Sequence, residues 1–463
     1  MNERTREATL ALVVVLLLAA AVALDLGSGA ARESSVPEAA APFVGRAVFC
    51  SAQIDHEDTS GRVTVSSGLE RGGVAVEPEP ARPPTASTLV WSGPLGARAQ
   101  AVEGRGAPAY AGTSLRLSSS KERGAAAARC SPEASSDWYF AAGTTAIGHD
   151  ERLLLHNPFP EEAVVRITLF TQVSDIVKSG LSDVAVPAGG TQEVKLNRVV
   201  VPRSLLGVEV SAVRGRVVAW KSVIARPREG ARGLSFSLGA TEAASRWFFA
   251  HGFTGPGVTE SISVLNPSDR ELTVTVSLAA EDRAAQPARL MDVSIPPRSA
   301  RRLILREGIL AGSAKRVRGI SATVASTNGV EFIAEREVSY EGDLGEGVTA
   351  ELGAAAPARS WLLTPPVSDS EDDSIAILNP TARDGRVDVF LRGERGVSRP
   401  ASLQGLKIGA GLRLEVPLSR WTSSSPPVVA LLASDVELVA ERYAHSRRVP
   451  DWADVMGFPL PEG

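Results

Sequence analysis

Three times the chain sets a tryptophan at nearly the same distance ahead of an Asn-Pro pair: Trp138 before Asn157-Pro158, Trp247 before Asn266-Pro267, Trp361 before Asn379-Pro380. The pairs recur at intervals of roughly a hundred residues, far longer than a helical solenoid repeat and the size of one small β-sandwich domain. The repeating unit is therefore a whole domain. Its shared positions are aromatic, aliphatic, Gly and Asn-Pro rather than nucleophiles, acids or metal ligands, so what repeats is architecture.

Behind each Asn-Pro the apolar residues alternate: Val164, Ile167 and Leu169; then Leu272, Val274, Val276 and Leu278; then Val387, Val389 and Leu391. A period of two predicts a strand with one buried face. Turns at Val186-Pro187, Ile295-Pro296-Pro297 and Ile408-Gly409 lead into a further strand, and each unit then carries two long apolar runs. These are Val208 to Val213 with Val217 to Val223, Ile320 to Ala325 with Val330 to Val338, and Val428 to Leu432 with Val436 to Tyr443. Asn328-Gly329 between alternating runs predicts a β-hairpin, with Arg214-Gly215 and Ser434-Asp435 as its counterparts. Helical periodicity is absent outside the N-terminus. The expected fold is all-β: tandem Ig-like antiparallel β-sandwich repeats at 136–241, 242–355 and 356–463, behind an N-terminal membrane-anchor helix.

Proline has no N–H for a ladder and pushes the preceding residue toward extended geometry, so each Asn-Pro belongs where a strand ends and a turn starts. Asn caps such a turn through its own side chain; an asparagine aimed at a ligand is the alternative. The three tryptophans read as core plugs, with a sugar-stacking platform as the alternative.

The run Trp138-Tyr-Phe-Ala-Ala-Gly-Thr-Thr145, then Leu153-Leu154-Leu155-His156-Asn157-Pro158, then Val217-Val218-Ala219-Trp220 resembles DUF5719, a family of secreted or membrane-anchored actinobacterial proteins of unknown function. The likeness covers about residues 136–463 and is weakest in the third unit, where Trp361 is followed by Leu-Leu-Thr-Pro-Pro. It implies an extracytoplasmic location and a repeated architecture, and it brings no active site. Composition agrees with such a source: only six of the 49 Lys and Arg residues are lysine.

Ala8–Leu24 is an unbroken uncharged run behind Arg4 and Arg6, its length at the lower limit for spanning hydrocarbon and the upper end for a signal-peptide core. Either way the rest of the chain is sent outward, with residues 1–7 cytoplasmic. Because Ala21-Val22-Ala23 lies inside the apolar run rather than after it, an uncleaved single-pass anchor is favoured; a cleaved segment makes the protein secreted. Residues 25–42, rich in Ser, Gly, Ala and Pro, read as a flexible stalk. The two cysteines, Cys50 and Cys130, both follow this segment and are expected to form one disulfide. Cys130 precedes Trp138 by the same interval at which Gly239 precedes Trp247 and Gly353 precedes Trp361. Residues 43–135 are therefore a divergent, disulfide-closed β domain.

A net charge of −4 and the lack of a basic patch argue against nucleic acid as a partner. The five histidines fall singly, His156 on a half-exposed strand position, and no zinc, P-loop or dinucleotide pattern occurs. The acidic cluster Asp369, Glu371, Asp372 and Asp373 reads as a solvated loop, with a Ca²⁺ site as the alternative. No catalytic, cofactor-binding or metal-binding residue is assigned. The expected protein is a non-enzymatic cell-envelope rod, held in the membrane by residues 8–24, that spaces or binds a wall polymer or another envelope protein. The alternative is a carbohydrate-binding or carbohydrate-active envelope protein.

Overall fold

The computed structural model describes residues 47–461 except 57, 69–72, 86–87, 106, 120–121, 306–316, 343–344, 367–371, 395, 423–427 and 446–451. All of these lie in the unit Val36–Gly463. The expected cytoplasmic end, anchor and stalk (1–7, Ala8–Leu24 and 25–42) lie outside the described residues. No helix of the described residues is long and apolar enough to cross a membrane.

The chain is almost wholly antiparallel β-structure. Strand Leu272–Ala279 buries Leu272, Val274, Val276 and Leu278 while Thr273, Thr275 and Ser277 stay half exposed. In the first repeat the buried set is Val165, Ile167 and Leu169, not the expected Val164: residues 164 and 167 are three apart and fall on opposite faces of the strand, whereas 165, 167 and 169 share one.

Each repeat is a sandwich of two sheets in a fixed order. In the first, Asp137–Phe140, Gly207–Arg214 and Ala163–Phe170 are successive neighbours in one sheet. Thr191–Lys195, His149–His156, Val218–Ala225 and Gly233–Leu238 follow one another across the other. The second repeat builds the same sheet from Ser299–Leu305, Val258–Asn266, Ile333–Gly342 and Gly345–Leu352. The divergent N-terminal domain follows suit, with Ala47–Cys50, Gln100–Arg105 and Gly73–Glu77 facing Val90–Pro94, Thr59–Ser67, Ala109–Ser118 and Arg123–Arg129. It is a shorter fourth copy.

The predicted hairpins do not form. Gly207–Arg214 and Val218–Ala225 lie in different sheets, as do Ser321–Ser326 and Ile333–Gly342. In the third repeat a single strand, Val429–His445, runs from one sheet into the other. Gly215 and Gly329 do adopt the left-handed φ of a tight turn, 79° and 74°, but the turn is a corner between facing sheets. Alternation reports how each run is buried and is blind to which strand it pairs with. Asn328 pins its corner by donating to Glu271 O at 2.8 Å.

The expected rod is also replaced. The closing strands Arg123–Arg129, Gly233–Leu238, Gly345–Leu352 and Trp452–Met456 pack against one another in cyclic order, so the four sandwiches close into a ring and the first meets the last. Short linkers hold neighbours together, but a row opens only if the closing strands leave a free face. Here Gly233–Leu238 and Trp452–Met456 are buried along their whole length. Glycines occur at matching points of three seams. A Cβ at Gly124 would lie 2.4 Å from Leu234 N, at Gly233 2.9 Å from Val348 N, and at Gly347 2.6 Å from Trp452 Cβ. Only a residue without a side chain admits the next strand there. The first and last copies meet through Ala125 and Ala127 against Ala444, Ala453 and Val455, and through the Tyr110 and Phe458 rings 5.5 Å apart.

Cys50 and Cys130 form a disulfide inside this ring. Cys130 N–H donates to Ala111 O at 2.9 Å, as Gly239, Gly353 and Gly457 donate to Ala219, Ala334 and Ala440. In the first two repeats the matching glycine accepts the edge of an aromatic: a Cβ at Gly239 or Gly353 would stand 2.8 Å from Phe140 or Phe249 Cζ. The disulfide fills the place of that ring-on-glycine contact.

Candidate functional site

The repeat-frame residues are built into the fold. Trp138, Trp247 and Trp361 are buried, and their indole N–H groups donate to Val217 O, Phe332 O and Leu438 O at 2.7, 2.7 and 2.9 Å. Asn157, Asn266 and Asn379 are buried too. Each donates to the carbonyl four residues on (Glu161, Arg270, Arg383), and each accepts the N–H two residues on (Phe159, Ser268, Thr381). Pro158, Pro267 and Pro380 stand half-buried in those turns, and the asparagine side chains are committed to closing them. His156 is buried rather than half exposed, because the first sandwich covers it: the Phe49 ring lies 6.3 Å away and Nδ1 is 3.0 Å from Gly190 O.

A second frame, of charges, lies beneath the first. Strand register makes Lys221, Arg336 and Arg442 equivalent: each stands opposite an apolar residue of its repeat's second strand, Leu153, Ile262 and Ile375. Two residues further along the ladder the partners are Glu151, Glu260 and Asp373. One residue before the cation stand Trp220, Glu335 and Glu441. Each of the first two cations reaches forward to the next repeat. Lys221 Nζ pairs with Glu335 at 2.9 Å, and Arg336 Nη2 with Glu441 at 2.8 Å, all four side chains buried. After the third repeat the ring returns to the first domain, which has Gly112 where the glutamate would stand. Arg442 therefore turns inward and clasps Asp373 through both carboxylate oxygens, 2.9 and 2.6 Å. The acidic cluster is thus divided: Asp373 is a buried ion-pair partner on strand Asp372–Leu378, Asp372 lies 3.7 Å from His445, and Asp369 and Glu371 lie outside the described residues.

Where the cation is engaged elsewhere, the leftover carboxyl is forced neutral. Burial pushes Glu151 up to about 8, and the Lys221 charge offsets this only in part. Burial does the same to Glu260, to about 8, against the Arg336 charge. Such shifts mark catalytic acids in many proteins, but neither residue lines the two hollows described below.

The seam between the second and third repeats concentrates the chemistry. Arg336 Nη2 lies 2.7 Å from Asp454 and 3.2 Å from His251, besides its contact with Glu441. His251, Glu441 and Asp454 have the spacing of a metal triad, yet the arginine already stands among them and supplies the positive charge. Burial lowers His251 to about 4, so it is neutral at pH 7 and its Nδ1–H donates to Asp454 at 3.1 Å. Burial would raise Asp454, but the His251 hydrogen bond and the Arg336 charge outweigh it and hold the carboxyl below its ordinary value.

Above this cluster His251 stacks on Tyr443 at 4.2 Å, and Phe253 meets the Tyr443 and Trp452 rings edge-on at 5.5 and 5.3 Å. Phe253, Tyr443 and Trp452 line a cleft of about 560 Å³, and Trp452 is itself stacked by the Tyr340 and His445 rings at 5.2 and 4.8 Å. Its walls carry Arg413, Glu415 and His445 from the third repeat and Glu281, Asp282 and Arg318 from the second. A larger hollow, about 640 Å³, opens where the closing strands leave the ring axis; it is lined mainly by Ala, Pro, Leu and the frame tryptophans.

Apart from Asp372 and Asp373 of the acidic cluster, no motif in the sequence marks these charged residues. The available signal was a charge inside an apolar strand run: Lys221 within Val217 to Val223, and Glu335-Arg336-Glu337 within Val330 to Val338. A charge at such a position must find a partner, but alternation cannot say that the partner belongs to another repeat.

A family model described as a family of unknown function, DUF5719, matches residues 85–246 and 223–456. No curated protein matches the chain. Among solved structures, Thermotoga maritima 1070 is 18% identical with a TM-score of 0.20, over 24% of this chain and 95% of that one. The Anabaena sensory rhodopsin transducer is 15% identical with a TM-score of 0.17, over 20% and 96%. The C-terminal domain of the Streptococcus pyogenes antigen I/II-family protein AspA is 9% identical with a TM-score of 0.13, over 64% and 100%.

Proposed function

The chain belongs to the DUF5719 family, and on that footing we propose that it is a non-enzymatic cell-envelope protein, held by Ala8–Leu24 with its bulk outside the cytoplasmic membrane. Its four Ig-like sandwiches act as a rigid scaffold that engages a wall polymer or another envelope protein. The observation that carries this reading is the use made of the buried ionisable groups. Lys221, Glu335, Arg336 and Glu441 tie one repeat to the next, which is an investment in rigidity and leaves those groups no proton to exchange with a substrate. The fully buried Cys50–Cys130 disulfide supports an oxidising compartment. Net charge and the absence of a basic patch in the sequence argue against nucleic acid. Protease added to intact, wall-stripped cells tests the location. Digestion of the large domain is expected, and protection of that domain reverses the assignment.

A further inference from the structure

We propose that the hollow at the ring axis is the docking site of a segment of this same chain, residues 39–44, which lie ahead of the described residues. The site stands apart from the scaffold reading, whose location it does not use.

Strand pairing makes four positions equivalent. Phe49, Tyr139, Phe248 and Leu362 each bridge to a residue just beyond their own domain's closing strand: Ser131, Ala240, Ala354 and Phe458. The residues before them, Val48, Trp138, Trp247 and Trp361, all line the hollow of about 640 Å³. Three of these strands are entered from a linker that forms part of its rim: residues 130–133 lead to Trp138, 238–242 to Trp247 and 352–357 to Trp361. For the fourth, Ala47–Cys50, the stretch in that position is 39–46. Its composition is that of a linker, because Ala39-Ala40-Ala41-Pro42 repeats Ala354-Ala355-Ala356-Pro357 of the rim residue for residue, and Phe43 and Val44 then add apolar surface.

The accessible rim suits such a run. Pro132, Ala355, Ala356 and Pro459 are exposed, and Pro108, Tyr110 and Pro357 are half-buried. Apolar groups gathered in one concavity mark a binding surface, and residues 39–44 carry no charge into it. Glu133 and Glu242 stand exposed on the same rim and complement Arg46, which follows the run. The tether brings the two together: fully extended, the chain from Val48 back to Phe43 spans at most about 18 Å, which keeps the segment at high effective concentration beside the hollow.

The test places p-benzoylphenylalanine at position 43 of the full-length protein in detergent and maps its photo-cross-links by peptide mass spectrometry. Links to 131–133, 240–242, 354–357 or Pro459 of the same copy are expected. Chymotrypsin gives a second reading, since cleavage after Phe43 follows the fraction of time the segment is undocked. Ala355→Asp combined with Ala356→Asp puts charge on exposed rim positions, so it should speed that cleavage about tenfold with the melting temperature unchanged. The proposal is overturned if no link to the rim forms, if the links run between copies, which would make a second chain the occupant, or if the double variant is cut at the unaltered rate. None of these outcomes touches the protease result on intact cells, so the two readings fail separately.

Discussion

At the scale of single residues, the repeat frame is a set of interior hydrogen bonds. Trp247 is 3% exposed and closes its corner through the bond to Phe332 O. Trp247→Ala should therefore cost about 3–5 kcal/mol in urea denaturation, while Trp247→Phe, which keeps most of the packing, should cost clearly less. The neutral carboxyls predict a pH dependence with a definite sign. Glu151 and Glu260 have folded values near 8, above the ordinary 4.5, so the fold binds protons that the unfolded chain releases. Their contribution is full below about pH 4.5 and is lost as pH rises through about 8. The variant carrying Glu151→Gln and Glu260→Gln should lack that loss and melt higher than the unaltered protein at pH 8, with the gap closing toward pH 4.5. Equal melting curves at both pH values would show that these carboxyls are ionised in the fold. The Asn-Pro turns were legible in the sequence because an Asx turn is closed by residues within four positions. The protonation of Glu151 was not, because it depends on Lys221, far along the chain, choosing another partner.

Among elements, the seams decide how strands are used. Glu335 accepts from Lys221 Nζ, from Ala142 N–H at 2.6 Å and from Ser237 Oγ at 3.0 Å, tying three segments of the first repeat to the second. Removing one member of a buried pair leaves an uncompensated charge, so Glu335→Ala should cost about 3–5 kcal/mol. Lys221→Met added to Glu335→Leu should recover part of that loss, since apolar residues of similar volume replace a buried ion pair with little penalty. Urea titrations of the three proteins check this, and a double variant as unstable as the single one would refute it. Among the described residues the seam where Gly112 takes the glutamate's place shows no matching pair; it is joined by Ala-on-Ala packing and by the donations of Arg129 to Gly457 O and of Arg392 to Ser67 O. Strand existence and burial were readable from alternation at this scale; partner choice was not. The Asn328-Gly329 corner shows why, for the same turn residues serve a hairpin and a crossing between sheets, and only the facing sheet selects one.

For the whole unit Val36–Gly463, closure of the ring is the property with the largest physical consequence. A compact chain of this length has a radius of gyration of about 22 Å, whereas four sandwiches in a row would give a far larger value. Small-angle X-ray scattering from residues 36–463, made without the leading apolar run, should return about 22 Å, and a strongly elongated profile would disprove the ring. The cleft depends on the same closure: Phe253 and Arg318 reach it from one repeat and Tyr443 and Trp452 from the next.

The sequence by itself determined the period of the repeat, the antiparallel strands, the turns at Asn-Pro, the pairing of Cys50 with Cys130 and the family. Each of these is set by neighbours along the chain, by a two-residue periodicity, or by there being only two cysteines to pair. The tertiary structure alone decided that a divergent first domain closes a ring, that Lys221 reaches Glu335 while Arg442 turns back to Asp373, and that a cleft opens between the second and third repeats. These depend on which surfaces meet between segments far apart along the chain. A charge or a glycine in a strand carries no local mark of the repeat it will face.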